Sequence, residues 1–132
     1  MSGRRFAYLA IPVGSVDRLA ATSDFYEALF GWQQQGPPDF DNHHFSDQDG
    51  IFSGAYMTDR QPPNRQGSIL YIVVEDGAAT MAKVQECIKS GPPDSKAEIL
   101  SSLGKVDMRN AVSATFRDPA GNVIGIYQNL PA

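Results

Sequence analysis

Ala120-Gly121-Asn122-Val123-Ile124-Gly125-Ile126-Tyr127 repeats, feature for feature, the earlier stretch Asp49-Gly50-Ile51-Phe52-Ser53-Gly54-Ala55-Tyr56. Each reads as a turn, a strand, a mid-strand glycine and a tyrosine two residues later. The segments ahead of them match too. Phe6-Ala7-Tyr8-Leu9-Ala10-Ile11-Pro12-Val13 and Ser68-Ile69-Leu70-Tyr71-Ile72-Val73-Val74 are strand-like runs, followed by helical patterns from Asp17 to Phe30 and from Ala78 to Lys89. A repeat of about sixty residues is too long for a solenoid and suits a duplicated supersecondary module. The sequence thus divides into module one (about residues 5–58), a linker (59–67) and module two (about 68–129), within one domain over 1–132.

Periodicity fills in each module. On the first strand Tyr8, Ala10 and Pro12 point one way, while the more apolar Leu9, Ile11 and Val13 point the other, toward the helix. Ala21, Phe25 and Leu29 form a helical stripe that Ser15 or Asp17 can cap and Gly31 can end. Gln34 to Asp39, with Pro37-Pro38, reads as a loop. His43–Asp47 and Ile51–Thr58 read as a hairpin around Asp47-Gln48-Asp49-Gly50. In module two Asp76 is the expected cap, Met81, Val84 and Ile88 the buried stripe, and Gly91-Pro92-Pro93 the stop. A short strand over Lys96–Leu100, a turn within Leu103–Met108 and a hairpin of Ala111–Phe116 with Val123–Gln128 complete it. The order is β-α-β-β-β twice, an α+β architecture.

Composition narrows the function classes. With 11 basic and 15 acidic residues the net charge is −4, and no basic cluster suggests a nucleic-acid face. No apolar run approaches the roughly 20 residues that span a bilayer, and Arg4 and Arg5 precede no signal-type apolar stretch. The single Cys87 cannot form an internal disulfide and fits a reducing compartment, so the expected location is the cytoplasm. There is no phosphate loop, hydrolase elbow or dinucleotide fingerprint.

Phe25-Tyr26-Glu27-Ala28-Leu29-Phe30-Gly31-Trp32 and Phe116-Arg117-Asp118-Pro119-Ala120-Gly121-Asn122-Val123-Ile124-Gly125 carry a family resemblance. The first resembles the helix-one ending, and the second the last hairpin, of the vicinal oxygen chelate superfamily. That superfamily includes glyoxalases, bleomycin-resistance proteins and extradiol dioxygenases. Ala10-Ile11-Pro12-Val13 and Tyr71-Ile72-Val73-Val74-Glu75-Asp76 fit its module-opening strands, so the resemblance covers nearly the whole chain. It implies a glyoxalase-like fold of two paired βαβββ modules forming a curled sheet around a cleft, and a homodimer. In the family's metal enzymes, inward His, Glu or Gln residues on the first and last strands of each module hold a divalent ion. The matching positions here are Tyr8 or Ala10, Ile69 or Tyr71, Gly54 and Gly125. None is a usual ligand, so the resemblance implies a member with no metal and no other cofactor, which puts ion-dependent chemistry in doubt.

Strand parity predicts a cleft lined by Tyr8, Tyr56, Tyr71 and Tyr127, with bare backbone at Gly54 and Gly125 where a ring could approach. Ala10 and Ile69 stand beside them. Such a cleft suits a small, flat, partly polar organic molecule. The plainer alternative is that these tyrosines simply fill the sheet. His43 and His44 point to opposite faces of a strand, so one reaches the cleft and can move protons near neutral pH; otherwise both sit in a solvated loop with Asp41 and Asn42. Arg60 and Arg65 are either solvated or receive an anionic group. Asp118 is expected to bond backbone amides in its turn, and Cys87 to be a small buried hydrophobe.

Two functional expectations stay open. One is metal-independent proton-transfer catalysis (an isomerase, lyase or cyclase) with Tyr8, Tyr71 and His44 as acid and base and the other cleft residues binding substrate. The other is non-catalytic sequestration of an aromatic compound, as in bleomycin-resistance proteins. A metal-dependent lyase or dioxygenase with displaced ligands ranks below both.

Overall fold

Each half of the repeat folds into its own four-stranded sheet. A computed structural model describes residues 8–38, 41–50, 52–63 and 69–131. Module one comprises β1 (Tyr8–Pro12), a 3-10 turn (Val16–Arg18) leading into α1 (Leu19–Phe30), β2 (Gln33–Gln34), β3 (Asn42–Ser46) and β4 (Ser53–Met57). Module two comprises β5 (Leu70–Val73), α2 (Gly77–Ser90), β6 (Glu98–Lys105), β7 (Ala111–Arg117) and β8 (Val123–Asn129). The strand orders are β1-β4-β3-β2 and β5-β8-β7-β6. In both, the first strand lies parallel to the last and the remaining pairs are antiparallel. The expected βαβββ order is present twice.

Local chemistry sets most boundaries where the sequence puts them. Gly31 closes α1 at φ +75, a left-handed conformation that costs glycine little, and its N–H donates to Glu27 O at 2.9 Å. The Asp76 carboxylate caps α2 by accepting from Ala79 N at 3.0 Å. Three boundaries differ. Ser15 stands at the entry to the 3-10 turn without a side-chain cap bond, and regular α-helix begins only at Leu19. Gln33 and Gln34 pair with Ser46 and Phe45, because tertiary pairing extends the sheet over two residues of weak strand propensity. β6 runs on to Lys105 through register irregularities, so the turn before β7 is displaced toward Met108, which adopts φ +60. Phe6, Ala7, Asp39, Ile51, Arg65 and Ser68 lie outside the described residues.

Register decides which side chains meet the helices. Leu9 lies beside Gly54 and Ile11 beside Tyr56, and Ile11 is buried. Gly54 and Tyr56 therefore face α1 and not the opposite, outer face where the sequence reading placed them. Tyr56 joins an aromatic stack under the helix, its ring 4.7 Å from Phe45; Phe45 is 5.2 Å from Trp32, and Trp32 is 5.1 Å from Tyr26. In module two Ile124 and Ile126 face the helix, while Tyr71, Gly125, Val73 and Tyr127 share the outer face. The repeat alignment that matched Gly54 with Gly125 is thus one residue out of phase, and Ala55 holds the position of Gly125. In a strand a slip of one inverts every side chain.

Asp118 ties the halves together. Its Oδ1 accepts from the backbone N–H groups of Ala120, Gly121 and Asn122 at 2.9–3.0 Å, as expected for its turn. Its Oδ2 accepts from Asn122 Nδ2 and from the Tyr26 hydroxyl on α1, both at 2.8 Å. Asn122 Nδ2 also donates to Pro12 O at the end of β1 at 2.8 Å, and Arg18 donates to Asp94 O and Pro119 O. Burial pushes the Asp118 carboxyl above the ordinary range, against the opposing pull of its hydrogen bonds to Asn122 and Tyr26. Burial also pushes the Tyr26 phenol well up, with the Asp118 charge adding to it.

Two stability predictions follow from this geometry. Asp118→Ala strands buried donors on both modules, and urea unfolding should show a loss of about 3 kcal/mol or more. Asp118→Asn, which keeps one acceptor, should lose less. A Cβ on Gly54 would collide with the carbonyl oxygen of Leu9 and the Phe45 ring, neither free to retreat. The atoms nearest a Cβ on Gly125 belong to the half-exposed Tyr71 ring. Gly54→Ala should therefore cost about 2–3 kcal/mol, and Gly125→Ala about 1 kcal/mol or less, as read from the two unfolding midpoints.

Candidate functional site

β1 and β5 each stand at the edge of their sheets, and a cavity of about 700 Å³ lies where they approach one another. Module one contributes Tyr8 and Leu9 from β1, Phe30 and Trp32 from the end of α1, and Phe52 ahead of β4. Module two contributes Leu70, Ile72 and Val73 from β5. The polar side chains of the lining are Tyr8 and, in the turn between β3 and β4, Asp47, Gln48 and Asp49. The volume falls in the range of small-molecule sites, which are typically apolar with a few placed polar groups. Trp32 is the only tryptophan of the chain. Its ring is buried, edge-to-face with Phe52 at 5.3 Å.

Tyr8 connects this cavity with the outer face of module one. It is 51% exposed, and its hydroxyl lies 3.2 Å from His44 Nδ1 on β3. Strand parity holds for the two histidines: His44 pairs with Ala55 and shares the outer face with Tyr8, whereas His43 pairs with Tyr56 on the helix face. A phenol hydrogen-bonded to an imidazole can pass a proton in either direction. Both residues stand in a strand, not in a solvated loop.

The remaining sequence candidates are scattered. Ala10 is exposed one pair further along β1. Ile69 and Tyr71 are 38% and 44% exposed on module two, and the Tyr71 ring lies across Gly125. The bare backbone of Gly125 is therefore covered by the protein's own side chain. Tyr127 lies on the same face but lines a different, shallow depression with Met108, Arg109 and Leu130. Tyr56 is 1% exposed in the core. Burial drives its phenol far above the ordinary tyrosine range, with the Asp118 charge adding to the shift. Its hydroxyl has no well-formed hydrogen bond among the described residues; Ser23 Oγ, close by, already accepts from Gln34 Nε2. Neither Gly54 nor Tyr56 can touch a ligand on the outer face. Arg60 is exposed, its carbonyl accepting from Gly14 N. Cys87 is half-buried, and burial raises its thiol pKa, with Glu86 adding to the effect, so it is held as the less reactive thiol.

The outer-face positions of the first and last strands are Tyr8, Ala10, Ser53 and Ala55 in module one, and Tyr71, Val73, Gly125 and Tyr127 in module two. They offer no imidazole, carboxylate or thiolate. Among the described residues no three His, Cys, Asp or Glu side chains converge. This donor set does not fit a divalent ion.

Of the residues that line the cavity, only Tyr8 was among the expected site residues. Phe30 and Trp32 were legible only as a helix ending, and Asp47-Gln48-Asp49 only as a turn. The available signal was the density of aromatic residues around Gly31, beyond what a helix stop needs.

No protein-family model matches the chain, and no curated protein matches it. Solved structures do. TnmS3, an antibiotic binding protein from Streptomyces sp. CB03234, superposes with a TM-score of 0.67 at 21% identity, covering 98% of this chain and 99% of its own. A glyoxalase/bleomycin resistance protein/dioxygenase family enzyme from Burkholderia phytofirmans PsJN gives 0.66 at 18% identity over 94% and 98%. A glyoxalase/bleomycin resistance protein from Streptomyces sp. CB03234 gives 0.63 at 22% over 94% and 100%. Across its whole length, then, the chain has the fold shared by glyoxalase/bleomycin resistance/dioxygenase proteins.

Proposed function

We propose that this protein binds a small, flat, largely apolar organic molecule in the cavity between β1 and β5 and holds it without transforming it. The observation that carries the reading is the cavity itself, about 700 Å³ with aromatic walls from Phe30, Trp32 and Phe52. The likeness to an antibiotic binding protein adds support of the same kind. Against catalysis by the expected trio, Tyr8 and His44 meet but Tyr71 lies across Gly125 in the other module.

A second reading rests on the Tyr8–His44 contact. Tyr8 borders the cavity and His44 stands behind it, so a bound molecule with an acidic C–H or O–H beside Tyr8 would meet an acid–base pair. Isomerisation or elimination is the chemistry such a pair supports.

We further propose a homodimer. Tyr8, Ile69, Tyr71 and Val73 are large apolar side chains with 38–67% exposure, and a second copy laid against the outer faces would remove them from water. No helix among the described residues is long and apolar enough to cross a membrane.

A panel of flat aromatic antibiotics, screened by thermal shift, should raise the melting temperature equally with and without chelator. Binding should change Trp32 emission. Phe52→Ala should weaken a hit about tenfold, while Tyr8→Phe should change affinity by less than about threefold. Turnover that Tyr8→Phe abolishes while binding persists would instead establish the catalytic reading. Sedimentation velocity should show a dimer that Tyr71→Glu shifts toward monomer; a wild-type monomer at all concentrations would refute the assembly.

A further inference from the structure

The chain contains two Asp-Gly pairs, Asp49-Gly50 and Asp76-Gly77, and no Asn-Gly pair. At such a pair a chain can rearrange its own backbone. Glycine has no side chain to shield its amide, so that nitrogen can reach the carboxyl carbon of the aspartate before it. Both aspartates are exposed, so exposure does not separate them. Their hydrogen bonds do.

Asp76 is held on every side. Its Oδ1 accepts from Ala79 N at 3.0 Å, and its carbonyl oxygen accepts from Thr80 N at 3.1 Å. Gly77 is buried at the start of α2, and its N–H donates to Gln128 Oε1 at 2.8 Å. Closing a ring there requires both side-chain bonds to break and the first turn of the helix to unwind. Asp49 lacks these restraints, and no hydrogen bond or ion pair among the described residues holds its carboxylate. Gly50 is exposed, adopts φ +69 and has nothing within 4 Å of where a Cβ would stand. Its N–H makes one stretched bond of 3.3 Å, to Asp47 O within the same turn. An exposed turn tip tied this weakly opens readily.

We propose that Asp49 converts spontaneously to isoaspartate, and that the fold protects Asp76 from the same reaction. Gly50 N gives up its proton and bonds to Asp49 Cγ, and a carboxyl oxygen leaves as water, closing a succinimide. Water then adds to one of the two ring carbonyls. Opening one C–N bond restores aspartate, and opening the other leaves isoaspartate. No oxidant, reductant or further reactant takes part. Isoaspartate carries an additional methylene in the main chain between residues 49 and 50, inside the turn that borders the cavity. The reaction does not depend on what the cavity holds.

The test holds the full chain for weeks at physiological temperature and near neutral pH, with a parallel sample unfolded in urea. Peptides are then separated, and electron-transfer fragmentation distinguishes isoaspartate from aspartate of the same mass. In the folded chain isoaspartate should form at residue 49 at least about tenfold faster than at residue 76. In urea the two rates should converge, because the protection of Asp76 is structural. Asp49→Glu, whose cyclisation needs a larger ring, should abolish the product at this position and leave residue 76 unchanged. Asp49→Asn reaches the same succinimide by losing ammonia and should form isoaspartate faster than the parent chain. Absence of isoaspartate at residue 49 in the folded chain overturns the inference. So do equal folded-state rates at the two sites, or a ratio that urea leaves unaltered.

Discussion

One buried carboxylate holds the architecture in register. Asp118 organises its own turn through three backbone amides and reaches across the molecule to the Tyr26 hydroxyl. A charge with this degree of burial is costly in isolation; removing the carboxylate leaves donors that water cannot easily satisfy, and removing one of its donors leaves a buried oxygen short of a hydrogen bond. The turn between β7 and β8 is therefore docked against α1 in one arrangement, with Asn122 extending the link to the end of β1. Tyr26 in turn packs at 5.1 Å against Trp32, which lines the cavity. The path from Asp118 to the cavity wall is two side chains long. Through it the relation of the two modules and the placement of the aromatic wall depend on the same hydrogen bonds.

The architecture was legible because its signals are local and repeated. Asp76 caps a helix and Gly31 ends one for reasons confined to a few residues. The βαβββ order follows from alternating periodicities in both halves. The same duplication misled the reading of the outer face. Gly-x-Tyr occurs in both final strands, but Gly54-Ala55-Tyr56 is displaced by one residue against Gly125-Ile126-Tyr127 when measured from the pairing with β1 and β5. Nothing within β4 reveals this phase. It is set by the aromatic stack of Tyr26, Trp32, Phe45 and Tyr56, which draws Tyr56 inward. Burial of a ring that large outweighs the hydroxyl it leaves without a well-formed bond.

The candidate site was legible only in part, for a related reason. Parity could place His43 and His44 on opposite faces, but that His44 is the one sharing a face with Tyr8 is set by the pairing of β3 with β4 and of β4 with β1. The cavity depends on how two sheets approach, which no local pattern encodes. Its walls come from a helix end, two edge strands and a turn, contributed by both modules. Residues with an evident local task, such as Trp32 after the helix stop or Asp49 in a turn, gave no sign of a second one.

The position of that cavity follows from the topology. Because the first strand of each module pairs only with the last in its sheet, β1 and β5 are left as edges. Exposed edges invite unwanted pairing, and short strands reduce that risk; β1 has 5 residues and β5 has 4. Keeping the two edges apart requires side chains between them, and the aromatic residues at the end of α1 and before β4 fill that space incompletely. The space left over is apolar within and bordered by one polar turn. A duplicated βαβββ chain thus generates a ligand-sized gap at its seam as a consequence of strand order, and the residues at the seam can vary in chemistry while the Asp118 linkage keeps the gap in place.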